Sequence, residues 1–362
     1  MKGKHEKYMR LALDMAEKAR DKTYPNPMVG AVIVKGGRVV GKGYHKRAGT
    51  DHAEVAAIKS AGRKAKGASM YVTLEPCDHY GKTPPCTDAV IKAGIKKVHA
   101  AMLDPNPITG GKGVRKLRRS GIAVSVGMCA NDARELNRKY IKYITTGLPY
   151  VTLKLAQSLD GRIAARDGSS RWITSIEARR YTRRMRPTFD AIMIGSNTAV
   201  KDDPFLLDEK RKGYDVSRVV VDSRLRMPLG SNLVRTADRA PLLVATTKLA
   251  SEGKIRKLQQ RRGVDVVTLR SGSSGVSLRA LLRELASRGI VNLQVEGGGR
   301  LAGSLVDGGL VDEVMMFVAP KLIGGDNLSV KSRGARNIAG AVDLKDVRIE
   351  RFGRDILVTG RI

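Results

Sequence analysis

Five histidines are spread over 362 residues, and one of them, His52, stands two positions before Glu54 at the head of the stretch HAEVAAI (52–58). Alone, this reads as a helix start with an acidic residue in its first turn, which the helix dipole favours. A second constellation changes that reading. In PCDHYGKTPPC (76–86), eight residues including prolines and a glycine separate Cys77 from Cys86. One imidazole and two thiolates are sound zinc donors, and three protein ligands leave a fourth position for water. A metal there would bring the pKa of that water toward neutrality. Glu54 is better placed to move protons than to complete the metal shell. The plainer reading of each piece alone is two inert core cysteines and an unrelated histidine.

The elements that would position these groups are legible from periodicity and punctuation. The N-terminal stretch reads as an amphipathic helix with Tyr8, Leu11, Ala12, Met15, Ala16 and Ala19 on one side, ended by the prolines at 25 and 27. MVGAVIVKGGRVVGKGYH (28–45) reads as a β-hairpin about a Lys-Gly-Gly turn. HAEVAAIKSAG is a helix ending at Gly62, SMYVTLEP a strand, CTDAVIKAG a helix, KKVHAAM a strand, GKGVRKLRRSG a helix and IAVSVG a strand. CANDARELNRKYIKYITTG then looks like one helix leading into a new unit. LPYVTLKLAQSLDG, FDAIMIGSNT, SRVVVDS, APLLVATT, DVVTL and VNLQVEGG are strand candidates separated by helical stretches, and RSGSSGVS (270–277) reads as a loop. The alternation predicts two α/β domains, residues 1–145 and 146–362.

The order H-x-E, then P-C, then C is the signature of zinc deaminases of bases and nucleosides. The longer second spacing, LEPCDHYGKTPPC (74–86), with YPNPMVGAVIV (24–34), GYHKRAG (43–49), HAE (52–54) and DPNP (104–107), resembles the bifunctional pyrimidine deaminase–reductase family of riboflavin biosynthesis. The resemblance implies a cytidine-deaminase-like three-layer domain with zinc on His52, Cys77 and Cys86 and with Glu54 as proton shuttle. It places Asn26, His45, His79, Asp104 and Asn106 near the substrate. From the residues alone, Asn26 could equally cap a turn and Asp104 start an Asx-turn before proline. Asp78 and Tyr80 depart from the family's pattern beside the metal motif. The implied reaction replaces the amino group of a diaminopyrimidinone by oxygen and releases ammonia.

The second half has no GxGxxG after its first strand, so the standard Rossmann fingerprint is absent. Instead it carries VTLKLAQSLDGRIA (151–164), SRWITS (170–175), NTAVKDDP (197–204), VVVDS (219–223) and a run from VEGGGRLAG (295–303) to KLIGG (321–325). This series resembles the reductase domain of the same family, so the likeness covers nearly the whole chain. It implies a dihydrofolate-reductase-like α/β fold and NADPH. Ala156, Trp172, Thr198, Asp202, Ser223 and the loop Gly298, Gly299, Arg300, Leu301, Ala302 and Gly303 would then lie along the cofactor. Lys154, Asp160, Ser170, Arg186, Leu206 and Glu296 would lie along the substrate. Successive glycines let backbone approach a pyrophosphate, and the helix start behind them offers N–H donors. Trp172 could also be an ordinary core aromatic. After DDP, FLLDEKR places Glu209 where the family pattern has a phosphate-binding arginine, with Lys210 and Arg211 as candidate substitutes.

Composition bounds the rest. No run of eighteen apolar residues exists, which argues against a membrane helix. Three cysteines make no disulfide framework, and the N-terminus lacks a secretory h-region, so a cytoplasmic protein is expected. Lysine and arginine number 67 against 35 acidic residues, a net charge of +32 that draws polyanions. The basic residues are dispersed and only 4% of residues are aromatic, which argues against a base-stacking platform. The expected partners are a phosphorylated pyrimidine and further copies of the chain, without specific nucleic-acid binding or a membrane. Two rivals stand beside this reading: a deaminase of nucleic-acid bases, and a non-catalytic RNA-binding module with a structural zinc.

Overall fold

The structure is a computed structural model that describes residues 2–81, 84–207, 216–272 and 275–362. The described chain forms two compact units, Met1–Leu148 and Pro149–Ile362.

The first unit runs α1 (Lys2–Glu17), β1 (Gly30–Lys35), β2 (Arg38–Tyr44), α2 (Ala53–Ala61), β3 (Ser69–Val72), α3 (Cys86–Lys92), β4 (Lys97–Ala100), α4 (Lys112–Arg119), β5 (Ala123–Val126), α5 (Ala130–Leu136) and α6 (Arg138–Thr146). Its sheet has the order β2-β1-β3-β4-β5, antiparallel about β1 and parallel from β3 to β5. The hairpin turns at Gly36 and Gly37, both at positive φ, as Lys-Gly-Gly foretells. β1 reads GAVIVK without alternation because α1 and α2 both pack against it. Tyr8, Ala12, Ala16 and Ala19 of the expected stripe are buried, joined by Met9, while Leu11 and Met15 sit half-buried at its edge. α1 stops at Glu17, well before the prolines. The expected single helix over 129–147 is broken at Asn137. That side chain accepts from Met28 N (2.8 Å) and donates to Met28 O (2.9 Å), a pairing between distant segments that no local pattern records.

The second unit runs β6 (Tyr150–Ser158), α7 (Ile176–Met185), β7 (Ala191–Gly195), α8 (Ser196–Lys201), β8 (Ser217–Val221), α9 (Asn232–Arg235), β9 (Leu242–Thr246), α10 (Glu252–Gln259), β10 (Val264–Thr268), β11 (Ser271–Gly272), β12 (Gly275–Val276), α11 (Leu278–Ser287), β13 (Asn292–Glu296), α12 (Gly299–Asp307), β14 (Glu313–Ala319), β15 (Lys345–Phe352) and β16 (Asp355–Arg361). The main sheet has the order β10-β9-β8-β7-β13-β6-β14-β16-β15. It is parallel from β10 to β14 and ends in an antiparallel hairpin. Runs such as AIMIG and LLVAT are wholly apolar or nearly so, as strands covered on both faces must be. β13 is inserted between β7 and β6, so chain direction diverges there, and ligands of open α/β sheets bind outside the carboxyl ends of the strands at such a point. The segment 270–277, expected as a loop, contains the short antiparallel pair β11–β12. Among the described residues, no helix is long and apolar enough to cross a membrane.

Candidate functional site

Two helix starts build the first site. His52 caps α2 in extended backbone (φ −70°, ψ 162°) and its ring makes no capping bond to the helix, while Glu54 is buried in the first turn. Cys86 opens α3, and its backbone N–H reaches Cys77 Sγ at 3.4 Å. His52 Nδ1 lies 3.1 Å from Cys86 Sγ and 3.5 Å from Cys77 Sγ, and all three donor atoms lie within 4.8 Å of one another. Tetrahedral zinc, with bonds of about 2.1 Å to nitrogen and about 2.3 Å to sulfur, needs N···S edges of about 3.6 Å. The donor set therefore fits that ion in both chemistry and size.

The electrostatics suit a thiolate beside a proton carrier. A hydrogen bond from Cys86, then one from His52, draws Cys77 down to about 4 against the effect of its burial, while the same contact with Cys77 pushes the Cys86 thiol up. Burial, then the nearby Cys77 charge, raises the Glu54 carboxyl to about 7; it is 3% exposed. A group with that pKa can both take and return a proton near neutrality.

His45 is buried beside this cluster, edge-on to His52 with 5.1 Å between ring centroids. Its Nδ1 donates to the Asp51 carbonyl at 3.2 Å, and its Nε2 accepts from Asn26 Nδ2 at 3.1 Å. Burial holds its pKa below the usual histidine value, so both contacts belong to the neutral ring. Asn26 and His45 thus arrive together. His79 is exposed between the two cysteines. Asp104 accepts from Asn106 N, Thr109 Oγ1 and Tyr140 Oη, as its Asx-turn reading expects, and the Asn106 carboxamide accepts from Ile108 N, so both side chains organise their own loop. Asp78, one of the departures beside the metal motif, pairs with Lys116 at 2.7 Å and accepts from Thr87. Tyr80, the other, is 81% exposed.

Sequence reasoning missed Glu75. It is 5% exposed, and its carboxylate accepts from the backbone N–H groups of Asp104 (3.1 Å), Gly111 (2.8 Å) and Val114 (2.9 Å). It caps α4 from a distance and fixes the DPNP loop behind the strand that delivers Cys77. An acidic residue inside the otherwise apolar run VTLEP was the available signal.

In the second unit, a cavity of about 2740 Å³ lies along the carboxyl ends of the parallel strands. Ala156, Trp172, Thr198, Asp202, Ser223, Gly298, Gly299, Arg300 and Leu301 line it, as do Lys154, Ser170, Arg186, Leu206 and Glu296. Ala302, Gly303 and Asp160 are not on its wall. Asp160 is spent on a loop, accepting from Ile323 N (3.1 Å) and Gly324 N (2.7 Å). Trp172 is 57% exposed, with the Arg179 guanidinium 4.2 Å from its ring centroid, so it is no core aromatic. Arg186 grips Glu296 through two nitrogens at 3.1 and 3.2 Å. Burial would raise the Glu296 pKa, but Arg186 and Lys154 outweigh it and the net shift is downward. Burial lowers that of Lys154, whose Nζ stands 5.7 Å from the Phe317 ring centroid. The glycine loop divides by role. A Cβ on Gly299 would sit 2.0 Å from the Leu328 carbonyl oxygen, so that position is closed by protein. A Cβ on Gly298 would meet nothing nearer than Thr198 Oγ1 at 4.0 Å, so that position is open toward the cavity. Glu209, Lys210 and Arg211 lie outside the described residues.

Known proteins carry the same two units in the same order. The family model for the RibD C-terminal domain matches residues 149–358, and that for the cytidine and deoxycytidylate deaminase zinc-binding region matches residues 2–102. The riboflavin biosynthesis protein RibD of Aquifex aeolicus is 46% identical over 356 residues, covering 97% of this chain and 96% of that protein. That of Escherichia coli is 40% identical over 365 residues, covering 97% of each. The solved structure of Acinetobacter baumannii RibD matches with a TM-score of 0.86 at 34% identity, over 100% of this chain and 99% of that one. A diaminohydroxyphosphoribosylaminopyrimidine deaminase/5-amino-6-(5-phosphoribosylamino)uracil reductase from Thermotoga maritima matches with a TM-score of 0.82 at 34% identity, over 99% of each chain. With likeness of this extent across both units, the chain belongs to the RibD family of riboflavin biosynthesis proteins.

Proposed function

We propose that the two units catalyse successive steps of riboflavin biosynthesis on one phosphorylated pyrimidine, a hydrolytic deamination followed by an NADPH-dependent reduction of its ribosyl group. The observation that carries this reading is the coexistence of the His52–Cys77–Cys86 donor set and the glycine-edged cavity in one chain that matches relatives over 96% or more of their length. The substrate is the diaminohydroxyphosphoribosylaminopyrimidine for which the Thermotoga protein is named, and the first product is 5-amino-6-(5-phosphoribosylamino)uracil.

In the deaminase unit, His52 Nδ1 and the sulfurs of Cys77 and Cys86 are the zinc ligands. Zinc, when bound there, supplies an acidified water. Glu54 takes one proton from the attacking water and hands it to the ring nitrogen as the new C–O bond forms. It then takes the proton left on the new hydroxyl and hands it to the amine, which leaves as ammonia when the C–N bond breaks. The neutral His45 ring holds Asn26 through Nδ2, which leaves Asn26 Oδ1 to accept from the pyrimidine. His79, Asp104 and Asn106 complete the substrate's surroundings, the last two by shaping the loop.

In the reductase unit, the open face of Gly298, the N-terminus of α12 and the exposed Trp172 ring suit a dinucleotide pyrophosphate and its rings. NADPH, when bound, supplies hydride to the sugar C1 carbon. Ala156, Thr198, Asp202 and Ser223 flank it. Lys154 Nζ, whose buried setting eases proton release, protonates the sugar oxygen freed on ring opening. Arg186 and Glu296 orient the substrate with Ser170 and Leu206. The protein's part is alignment of donor and acceptor.

We assign the chain to the cytoplasm, supported by its three free cysteines. We also propose that it self-associates through β15, an edge strand whose Val347 and Ile349 are exposed, and light scattering in solution checks this. The two rival readings lack support from relatives that carry both units. The test of the main reading is a coupled assay with purified protein, zinc, NADPH and the diaminopyrimidine, reading ammonia and NADPH oxidation separately. Both signals, with ammonia first, are expected. Ammonia from oligonucleotides alone would overturn it.

A further inference from the structure

We infer that Arg218 and Asn232 are positioning residues of the reductase cavity, clamping the turn from Asp202 to Leu206 in a backbone geometry it would not hold alone. This rests on the reductase reading and deepens it. Asp203 (φ 39°) and Leu206 (φ 52°) both have left-handed backbone, and neither is glycine. Such conformations persist only where the surroundings over-determine them.

Here the surroundings do so by tying down carbonyls. Asp202 O accepts from Arg171 Nη2 at 2.6 Å. Asp203 O accepts from Asn232 Nδ2 at 2.8 Å, while the Asn232 backbone N–H donates to the Asp203 carboxylate at 2.8 Å. Phe205 O accepts from Arg218 Nη1 at 3.0 Å. Arg218 is 0% exposed and stands in β8, off the cavity wall. Its guanidinium also donates to Thr236 Oγ1 (2.8 Å), to Thr236 O (3.0 Å) and to Ala240 O. The planar fork thus joins the 205 turn to the 236–240 turn through one rigid group. Asp202 and Leu206, at the two ends of the clamped turn, do line the cavity. Releasing the clamp frees both to move relative to a bound ligand, although Arg218 touches none.

The test uses the full-length protein with Arg218→Lys, which keeps the buried charge but has one nitrogen in place of the fork. Asn232→Ala removes an independent tether; because Asn232 is itself on the cavity wall, its exchange result rather than its KM decides the matter if the lysine variant fails to fold. Hydrogen exchange of the amides of residues 202, 203 and 205–207, measured without ligands, is expected to quicken while β6 and β13 keep the parent's protection. The KM for the deaminated substrate is expected to rise about tenfold, more than kcat falls, with ammonia release unchanged. Faster exchange with an unaltered KM would make the clamp merely structural, and unaltered exchange would remove it. A parent protein that deaminates but never oxidises NADPH would overturn the reductase reading instead, and the exchange result would still decide the clamp.

Discussion

Glu75→Gln should unsettle the deaminase unit more than any other single-atom change near the metal motif. All three partners of the buried carboxylate are backbone N–H donors, two on Oε2 and one on Oε1. A carboxamide has only one oxygen. Its best placement keeps the oxygen on Asp104 and Gly111 and turns the –NH2 group toward the Val114 N–H. That leaves a buried donor unmatched, at a cost of about 1–3 kcal/mol, and reduces two charge-assisted bonds to neutral ones, at about 1 kcal/mol each. The opposing gain, an uncharged side chain that is easier to bury, is smaller because the carboxylate is already matched. A net loss of about 3 kcal/mol follows, or about 10 °C for a unit of this size. Calorimetry of the full chain reads it, with the deaminase transition identified as the one that a zinc chelator moves. Chelator competition should also extract zinc faster, since residue 75 is two positions from Cys77. A shift of less than about 2 °C would refute the reasoning, because it would mean that the three N–H groups find other acceptors.

Three further outcomes follow from particular contacts. Gly299→Ala, whose Cβ would meet the Leu328 carbonyl, should destabilise the reductase unit by about 3 kcal/mol, whereas Gly298→Ala should leave its melting unchanged and weaken NADPH binding about tenfold, as read by cofactor fluorescence titration. Trp172 is the chain's single tryptophan, so NADPH should quench the intrinsic fluorescence, and Trp172→Ala should weaken NADPH about tenfold with little change in melting. His99, stacked on Tyr71 with 4.7 Å between ring centroids, has its pKa lowered by burial and then by His5 and Lys97. The folded state therefore takes up a proton less readily than the unfolded chain. Its contribution is fully present above the unfolded value of about 6.5 and is lost as pH falls from there toward the folded value, so denaturation midpoints should fall between pH 7 and 5, and His99→Asn should flatten that profile.

The parts of this molecule that were legible in its sequence are those where residue type and spacing carry the physics. His52, Glu54, Cys77 and Cys86 could be grouped because their chemistry has few other uses in such an arrangement; the structure brings the His52, Cys77 and Cys86 donors together and sets Glu54 beside them. Strands such as AIMIG and LLVAT were legible because burial on both faces leaves an unbroken apolar run. Glu75 and Arg218 were not, since all partners of the first and all but the Thr236 hydroxyl of those named for the second are backbone groups of residues far along the chain, and a backbone N–H or carbonyl has no letter of its own. The break at Asn137 was hidden for the same reason: its partner is the backbone of Met28. EGGGRLAG was legible as a glycine loop, but local pattern could not tell Gly299, closed by the Leu328 carbonyl, from Gly298, which faces the cavity. The closing hairpin β15–β16 was passed over although VRIE (347–350) alternates, because Val347 and Ile349 meet no core that would have marked them.

The central claim is that one chain holds two separable chemistries, the first dependent on a proton carrier that is not a metal ligand. Glu54→Gln tests it most directly, in a single preparation assayed for zinc, for ammonia release from the diaminopyrimidine and for NADPH oxidation on the deaminated substrate. The account predicts one zinc per chain as in the parent, ammonia release lower by about 100-fold or more, and unaltered NADPH oxidation. Ammonia release at the parent rate with zinc in place would contradict it.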